Sequence, residues 1–162
     1  MERLWAPWRM TYIKKHSDQA PCFLCAAVKG KRDRSTFVVA RGRHCFAILN
    51  RYPYASGHLM VTPNAHRGSL AEMTPEEKLE LMDLSQRVQG ALGKAYRPDG
   101  YNMGINLGRV AGAGLLGHLH LHVVPRWNGD TNFMPVMSGV KVMPLTLKDV
   151  HAAVTKALRS TT

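Results

Sequence analysis

The first half of the chain carries its apolar residues in short, dense runs. TFVVA (36–40) and HCFAIL (44–49) are rich in β-branched and aromatic residues and are separated by the basic turn RGR, and HLMVT (58–62) follows the polar stretch NRYPYASG. Runs of this length, bounded by Gly, Pro and charged residues, predict three strands in an antiparallel meander. The spacing then changes. Leu81, Leu84, Val88, Leu92 and Ala95 recur at helical intervals behind Thr74, Pro75 and Glu77. Those three read as N-cap, first helical residue and capping-box partner, so a long helix is predicted over 74–96. A strand is predicted at YNMGINL (101–107), a glycine-rich loop at GRVAGAG (108–114), and a further strand through GHLHLHVVPRW (117–127). A second helix is predicted from Thr146, with Asp149 as its box partner and Leu147, Val150, Val154 and Leu158 on one face.

This order of elements belongs to the α+β class, and 162 residues with 45% apolar content suit one domain. No repeat or low-complexity linker divides it. No run of about 18 apolar residues occurs, which argues against a membrane span, and MERLWAPWRM lacks the apolar core of a secretory signal, so a cytoplasmic protein is expected. The balance of 22 Lys and Arg against 11 Asp and Glu gives a net charge of +11 and favours anionic partners. The basic residues cluster only at KGKRDR (29–34) and RGRH (41–44), without a zinc-finger, RRM or KH signature. Small phosphorylated ligands therefore fit better than nucleic acid.

The chemistry concentrates in the histidine strand. Alternation along a strand puts His118, His120 and His122 on one face, open to a site, with Leu119, Leu121 and Val123 buried on the other. Imidazole can serve as nucleophile, general acid or base, or metal ligand. Upstream, Gly108, Gly112 and Gly114 allow close backbone approach and suit an anion nest, with Arg126 at the far end of the strand. Cys22 and Cys25 have the spacing of a zinc half-site, which needs two further ligands; the alternative is a pair of reduced thiols. Cys45 sits in an apolar run and reads as core. His16, His44 and His151 have no partners in sequence and read as surface or core residues. Trp5, Trp8 and Tyr12 read as packing residues, with base stacking as the other use of such rings.

HLHLHVV matches the pattern that defines the histidine triad (HIT) superfamily, and LWAPWRM, NRYPYASGHLMV, GINLG and HVVPRWNGDTNF resemble its bacterial branch of diadenosine tetraphosphate phosphorylases and hydrolases. The resemblance covers nearly the whole chain. It implies a HIT-like α+β domain over 1–162: an N-terminal segment (1–35) holding the cysteine pair, a core (36–127), and a C-terminal segment and helix (128–162). It also implies a five-stranded antiparallel sheet with a long helix and a C-terminal helix, assembled as a two-fold homodimer in which NGDTNFMPV (128–136) reaches toward the partner's site. The implied reaction is cleavage of a dinucleoside polyphosphate or related adenine nucleotide through a nucleotidyl-histidine, with His120 as nucleophile, His122 beside the same phosphate and His58 supporting both. Asn50 corresponds to a position near the ribose, and Asn106 to one beside the phosphates. The N-terminal and C-terminal signatures favour the branch in which inorganic phosphate is the acceptor, so the expected reaction is phosphorolysis of diadenosine tetraphosphate to ADP and ATP; water as acceptor would make it a hydrolysis. The rivals are action on nucleoside phosphoramidates and, in another class, a non-catalytic nucleotide- or RNA-binding regulator. The resemblance further implies a structural zinc on Cys22, Cys25, His66 and His118, and a divalent cation carried with the substrate. One position departs from the family pattern: Gly114 stands where many members have a glutamine or serine that contacts phosphate.

Overall fold

In a computed structural model, residues 21–130 and 143–160 are described. Cys22 opens helix α1 (Phe23–Lys29), its Sγ accepting from the Cys25 amide at 3.5 Å. A short helix α2 (Asp33–Thr36) follows. The sheet consists of β1 (Val38–Arg41), β2 (Cys45–Leu49), β3 (Leu59–Pro63), β4 (Gly100–Ile105) and β5 (Leu121–Arg126), in the order β1-β2-β3-β5-β4 with every neighbour antiparallel. The long helix α3 (Pro75–Tyr96) separates β3 from β4, and α4 (Leu147–Arg159) closes the chain. Among the described residues no helix is long and apolar enough to cross a membrane.

The predicted meander, both helices and both capping boxes are present. β4 ends at Ile105, two residues before the predicted end, and two strand starts differ as well. Thr36 ends α2 and Phe37 takes a left-handed φ of 63°, so β1 starts two residues later than the apolar run suggests. The β5 ladder begins only at Leu121, leaving His118 and His120 on its approach.

Every residue of β2 and β3 is buried, because both sheet faces are covered. On one face Leu49, Leu59, Val61 and Val123 meet Leu84, Val88 and Leu92 of α3 and Val150 and Val154 of α4. On the other, Val38, Phe46, Ile48 and Met60 pack under Leu24 and Ala27 of α1. Sheets covered on both sides lose strict alternation, which is why these strands read as continuous apolar runs. Glu80 of α3 clips the β1–β2 turn, its carboxylate accepting from the amides of Arg43 (2.8 Å), His44 and Cys45 (2.9 Å). Burial pulls the Glu80 carboxyl upward, but these three donors outweigh it and leave it below the ordinary range. Cys45 is the core residue expected from sequence: burial, with Glu80 and Glu77 adding to it, pushes its thiol up to about 12.

Candidate functional site

Although the ladder starts at 121, the preceding histidine segment is fixed by contacts from the β3 side. Thr62 Oγ1 donates to the Leu119 carbonyl (2.7 Å), and the Leu119 amide donates to the Arg67 carbonyl (2.6 Å). His118 Nε2 lies 2.8 Å from the Pro63 carbonyl. A carbonyl only accepts, so that nitrogen carries the proton and Nδ1 keeps its lone pair. Immediately before β3, His58 follows Gly57, whose φ of +86° favours glycine and whose added Cβ would lie 2.9 Å from Leu92. That turn delivers His58 against His122.

The same reasoning fixes the other rings. His120 Nδ1 is 2.8 Å from the His118 carbonyl and must donate to it, leaving Nε2 as a lone-pair nitrogen. The Tyr54 amide donates to His58 Nδ1 (3.0 Å), so neutral His58 carries its proton on Nε2 and donates it to His122 Nδ1 at 2.9 Å. His122 is left with Nε2–H as a donor. The rings of His120 and His122 stand nearly perpendicular with centroids 4.9 Å apart, so a ring that offers a lone pair neighbours one that offers an N–H. Asn50 Nδ2 lies 3.4 Å from His58 Nδ1, and its Oδ1 accepts from the Tyr52 amide at 2.9 Å.

The histidines do not line a face open to solvent, as the alternation suggested. His58, His118, His120 and His122 are only 1%, 0%, 7% and 9% exposed. Burial disfavours the imidazolium: it lowers the basicity of His120, against the opposing pull of the His118 carbonyl, and it lowers His122 to about 4 with His120 adding repulsion. Both rings are neutral at pH 7.

The remaining expected site residues are placed differently. Asn106 Nδ2 donates to the Gly112 carbonyl (3.5 Å) and the Gly112 amide donates to the Arg109 carbonyl (3.0 Å), so these two residues shape the 108–112 turn itself. Gly114 is half-buried in the same loop. Arg126 is held at the outer end of the β4–β5 pair by Asp130 (2.5 and 2.8 Å) and Asn102 (2.7 Å), about 13 Å along the strand from His122 at ordinary strand rise. Trp5, Trp8, Tyr12, His16 and residues 131–136 lie outside the described residues.

Cys22, Cys25, His66 and His118 converge, with all four ligand atoms within 4.8 Å of one another. Cys22 Sγ and Cys25 Sγ lie 3.3 and 3.5 Å from His118 Nδ1, and Cys25 Sγ lies 3.2 Å from His66 Nδ1. A tetrahedron with metal–sulfur and metal–nitrogen bonds of zinc length has S–N edges of about 3.5 Å, so this set fits a four-coordinate ion. His118 already presents the lone pair that ligation requires. Gly117 makes room: a Cβ there would meet His66 Nε2 at 2.9 Å. The four residues can therefore hold a metal ion.

Sequence reasoning missed Tyr54, Thr62, Pro63 and Gly117. The first three act through main chain or as a buried hydroxyl, which leaves no pattern to read. For Gly117, its place directly before His118 was the available signal.

A buried imidazole cluster at the meeting of β3 and β5, backed by a Cys-Cys-His-His cluster, is the arrangement of a histidine triad domain, and the chain belongs to the HIT domain family, whose model matches residues 31–129. Among known proteins it is 41% identical over 158 residues to the AP-4-A phosphorylase of Mycobacterium tuberculosis, covering 93% of this chain and 81% of that protein. Its fold is shared with a zinc-bound histidine triad family protein from Mycobacterium smegmatis (27% identity, TM-score 0.70, 90% of this chain and 97% of that one). A diadenosine triphosphate hydrolase from Plasmodium falciparum has the same fold at 16% identity (TM-score 0.61, 81% of this chain and 77% of that one).

Proposed function

We propose that this protein is a cytoplasmic, homodimeric enzyme that cleaves diadenosine tetraphosphate by phosphorolysis. The observation that carries the reading is the His120 ring: its Nδ1–H is committed to the His118 carbonyl, so Nε2 faces the reaction with a lone pair and without the need for a separate base. The high identity to a protein named AP-4-A phosphorylase supports the choice of substrate and acceptor.

His120 Nε2 attacks the α-phosphorus of one adenosine. The N–P bond forms as the bridging P–O bond breaks, and ATP leaves. The His122 Nε2–H lies beside that phosphorus and donates to a non-bridging or leaving oxygen as charge develops there. Inorganic phosphate then attacks the adenylyl-histidine, the N–P bond breaks, and ADP departs with His120 restored. His58 keeps His122 in its donor tautomer. Asn50 sits where it can orient the ribose, and Asn106 with Gly112 and Gly114 shapes the loop beside the phosphates. A divalent cation carried by the substrate would neutralise oxygens away from the histidines.

Cys22, Cys25, His66 and His118 would hold zinc as a structural ion, joining α1 to the approach of β5. The donor set and the S–N distances support zinc over harder cations.

The test is incubation of purified protein with diadenosine tetraphosphate, with and without inorganic phosphate, followed by separation of nucleotides. ATP plus ADP appearing only with phosphate is the expected result. ATP plus AMP regardless of phosphate would make the protein a hydrolase, and absence of turnover in both conditions would overturn the reading in favour of phosphoramidate substrates or nucleotide binding alone.

A further inference from the structure

A groove of about 490 Å3 lies between α2 and the outer face of α4. Lys148, Thr155 and Arg159 recur along α4 at intervals of seven and four, opposite the buried Val150, Val154 and Leu158, and Lys156 flanks them. Arg34 of α2 faces this stripe across the groove. Its charged lining is thus four cations, and among the described residues no carboxylate lines it. The two acids nearest in sequence are engaged elsewhere: Asp33 pairs with Arg41 at 2.6 Å, and Asp149 accepts from Thr146 in the capping box.

We infer that this groove is a second anion site, built to hold an oligophosphate chain. Lys148 occupies the first turn of α4, where the helix dipole disfavours a cation, and Lys156 and Arg159 are like charges three residues apart in the last turn. A polyanion laid along the stripe reverses both penalties. The wall is firm, because His151 Nε2 donates to the Val38 carbonyl at 2.8 Å and its ring meets Phe37 edge-on. Lys148 and Arg159 are eleven residues apart, or about 16 Å along the axis, so a single phosphate cannot engage both ends, whereas a chain of three or more reaches along the stripe. The groove is distinct from the histidine centre: α4 packs on β1, and β1 is three strand spacings, about 14 Å, from β5.

The chemistry is that of linked phosphates, whether free inorganic oligophosphate or the phosphate tail of a nucleotide, and it is independent of the reaction proposed above. Calorimetric titration of the full-length protein with tripolyphosphate, in the presence of saturating AMP, tests it. One bound tripolyphosphate per chain is expected, with affinity falling at least about tenfold in Lys148→Gln/Lys156→Gln/Arg159→Gln as three charge-assisted contacts are lost. Arg34→Gln alone should weaken binding several-fold with circular dichroism unchanged. ATP competing with tripolyphosphate would support the site and identify a nucleotide tail as its ligand; tripolyphosphate binding unopposed by ATP would support it with free oligophosphate as the ligand. Binding that survives the triple substitution, or that AMP abolishes, would overturn the proposal. So would triple-sensitive binding of single-stranded RNA without binding of tripolyphosphate.

Discussion

His122 ties folding to pH in a way that can be worked from its surroundings. In the unfolded chain an imidazole takes its proton near pH 6.5, whereas burial, helped by His120, lowers His122 to about 4 in the fold. The unfolded state therefore binds more protons between those values, and stability must rise with pH across the window. The contribution is fully present above about pH 6.5 and is lost as pH falls toward 4. With about 1.4 kcal/mol per pKa unit, linkage through this one ring removes about 2 kcal/mol by pH 5 and about 3 kcal/mol by pH 4. For a chain of this size, the first figure corresponds to a drop of about 4 to 8 °C in melting temperature. The measurement is thermal and urea unfolding from pH 7.5 to 4.5 for the wild type and for His122→Gln, which cannot titrate there. The variant should be less stable at pH 7.5 but fall less steeply, so that the difference between the two shrinks by about 2 kcal/mol at pH 5. Protonation of metal ligands and surface groups is common to both proteins and cancels in that difference. A gap that stays constant with pH would show that His122 is not held neutral by its surroundings and would refute the argument.

Replacing His120 with alanine should reduce diadenosine tetraphosphate turnover by at least about a thousandfold while leaving the circular dichroism of a folded protein, since the ring is the proposed nucleophile and contributes little to either apolar cluster; retained turnover would remove it from that role. His58→Ala strips the partner from the buried His122 Nδ1, costing about 1 to 3 kcal/mol when unpaired, and takes the acceptor from the more exposed Tyr54 amide, so urea unfolding should show a loss of about 1 to 3 kcal/mol together with slower turnover. Metal analysis should find about one zinc per chain in the wild type and almost none in Cys22→Ser/Cys25→Ser, and zinc-free wild-type protein would contradict the assignment. Glu80→Ala leaves the three amides of the β1–β2 turn without their acceptor and should cost about 2 to 3 kcal/mol in unfolding experiments with catalysis unchanged; equal loss of both would place Glu80 in the site rather than in the scaffold.

The helices were legible because their ends carry strong local chemistry: Thr74 with Glu77, and Thr146 with Asp149, form reciprocal bonds whose partners lie three residues apart in sequence. β2 and β3 were legible as apolar runs. The beginning of β1 was not, because the apolar pattern passes through Phe37 without marking its left-handed turn. Nor was α1, whose seven residues are too short for a periodicity to register. Within the site, the alternating motif located His118, His120 and His122, and family resemblance supplied His58 and His66. Their burial and tautomers were not legible, since both depend on carbonyls and amides of other segments, and every residue carries those groups alike. Arg126 read as a phosphate ligand from its place after the motif; the acid that holds it, Asp130, became visible only in the folded loop.

The shortest donor at the start of the chain that ends at His122 is a main-chain amide, that of Tyr54 at 3.0 Å, with the Asn50 side-chain amide farther off at 3.4 Å. Relays of this kind are commonly oriented by a carboxylate, which can be deleted by substitution or neutralised by acid. An amide can be neither. The polarity of this relay is therefore indifferent to pH until one of its rings takes up a proton, and a scan that truncates side chains one at a time passes over its origin. Only a change that removes the N–H itself, such as proline at position 54, reaches that member of the site.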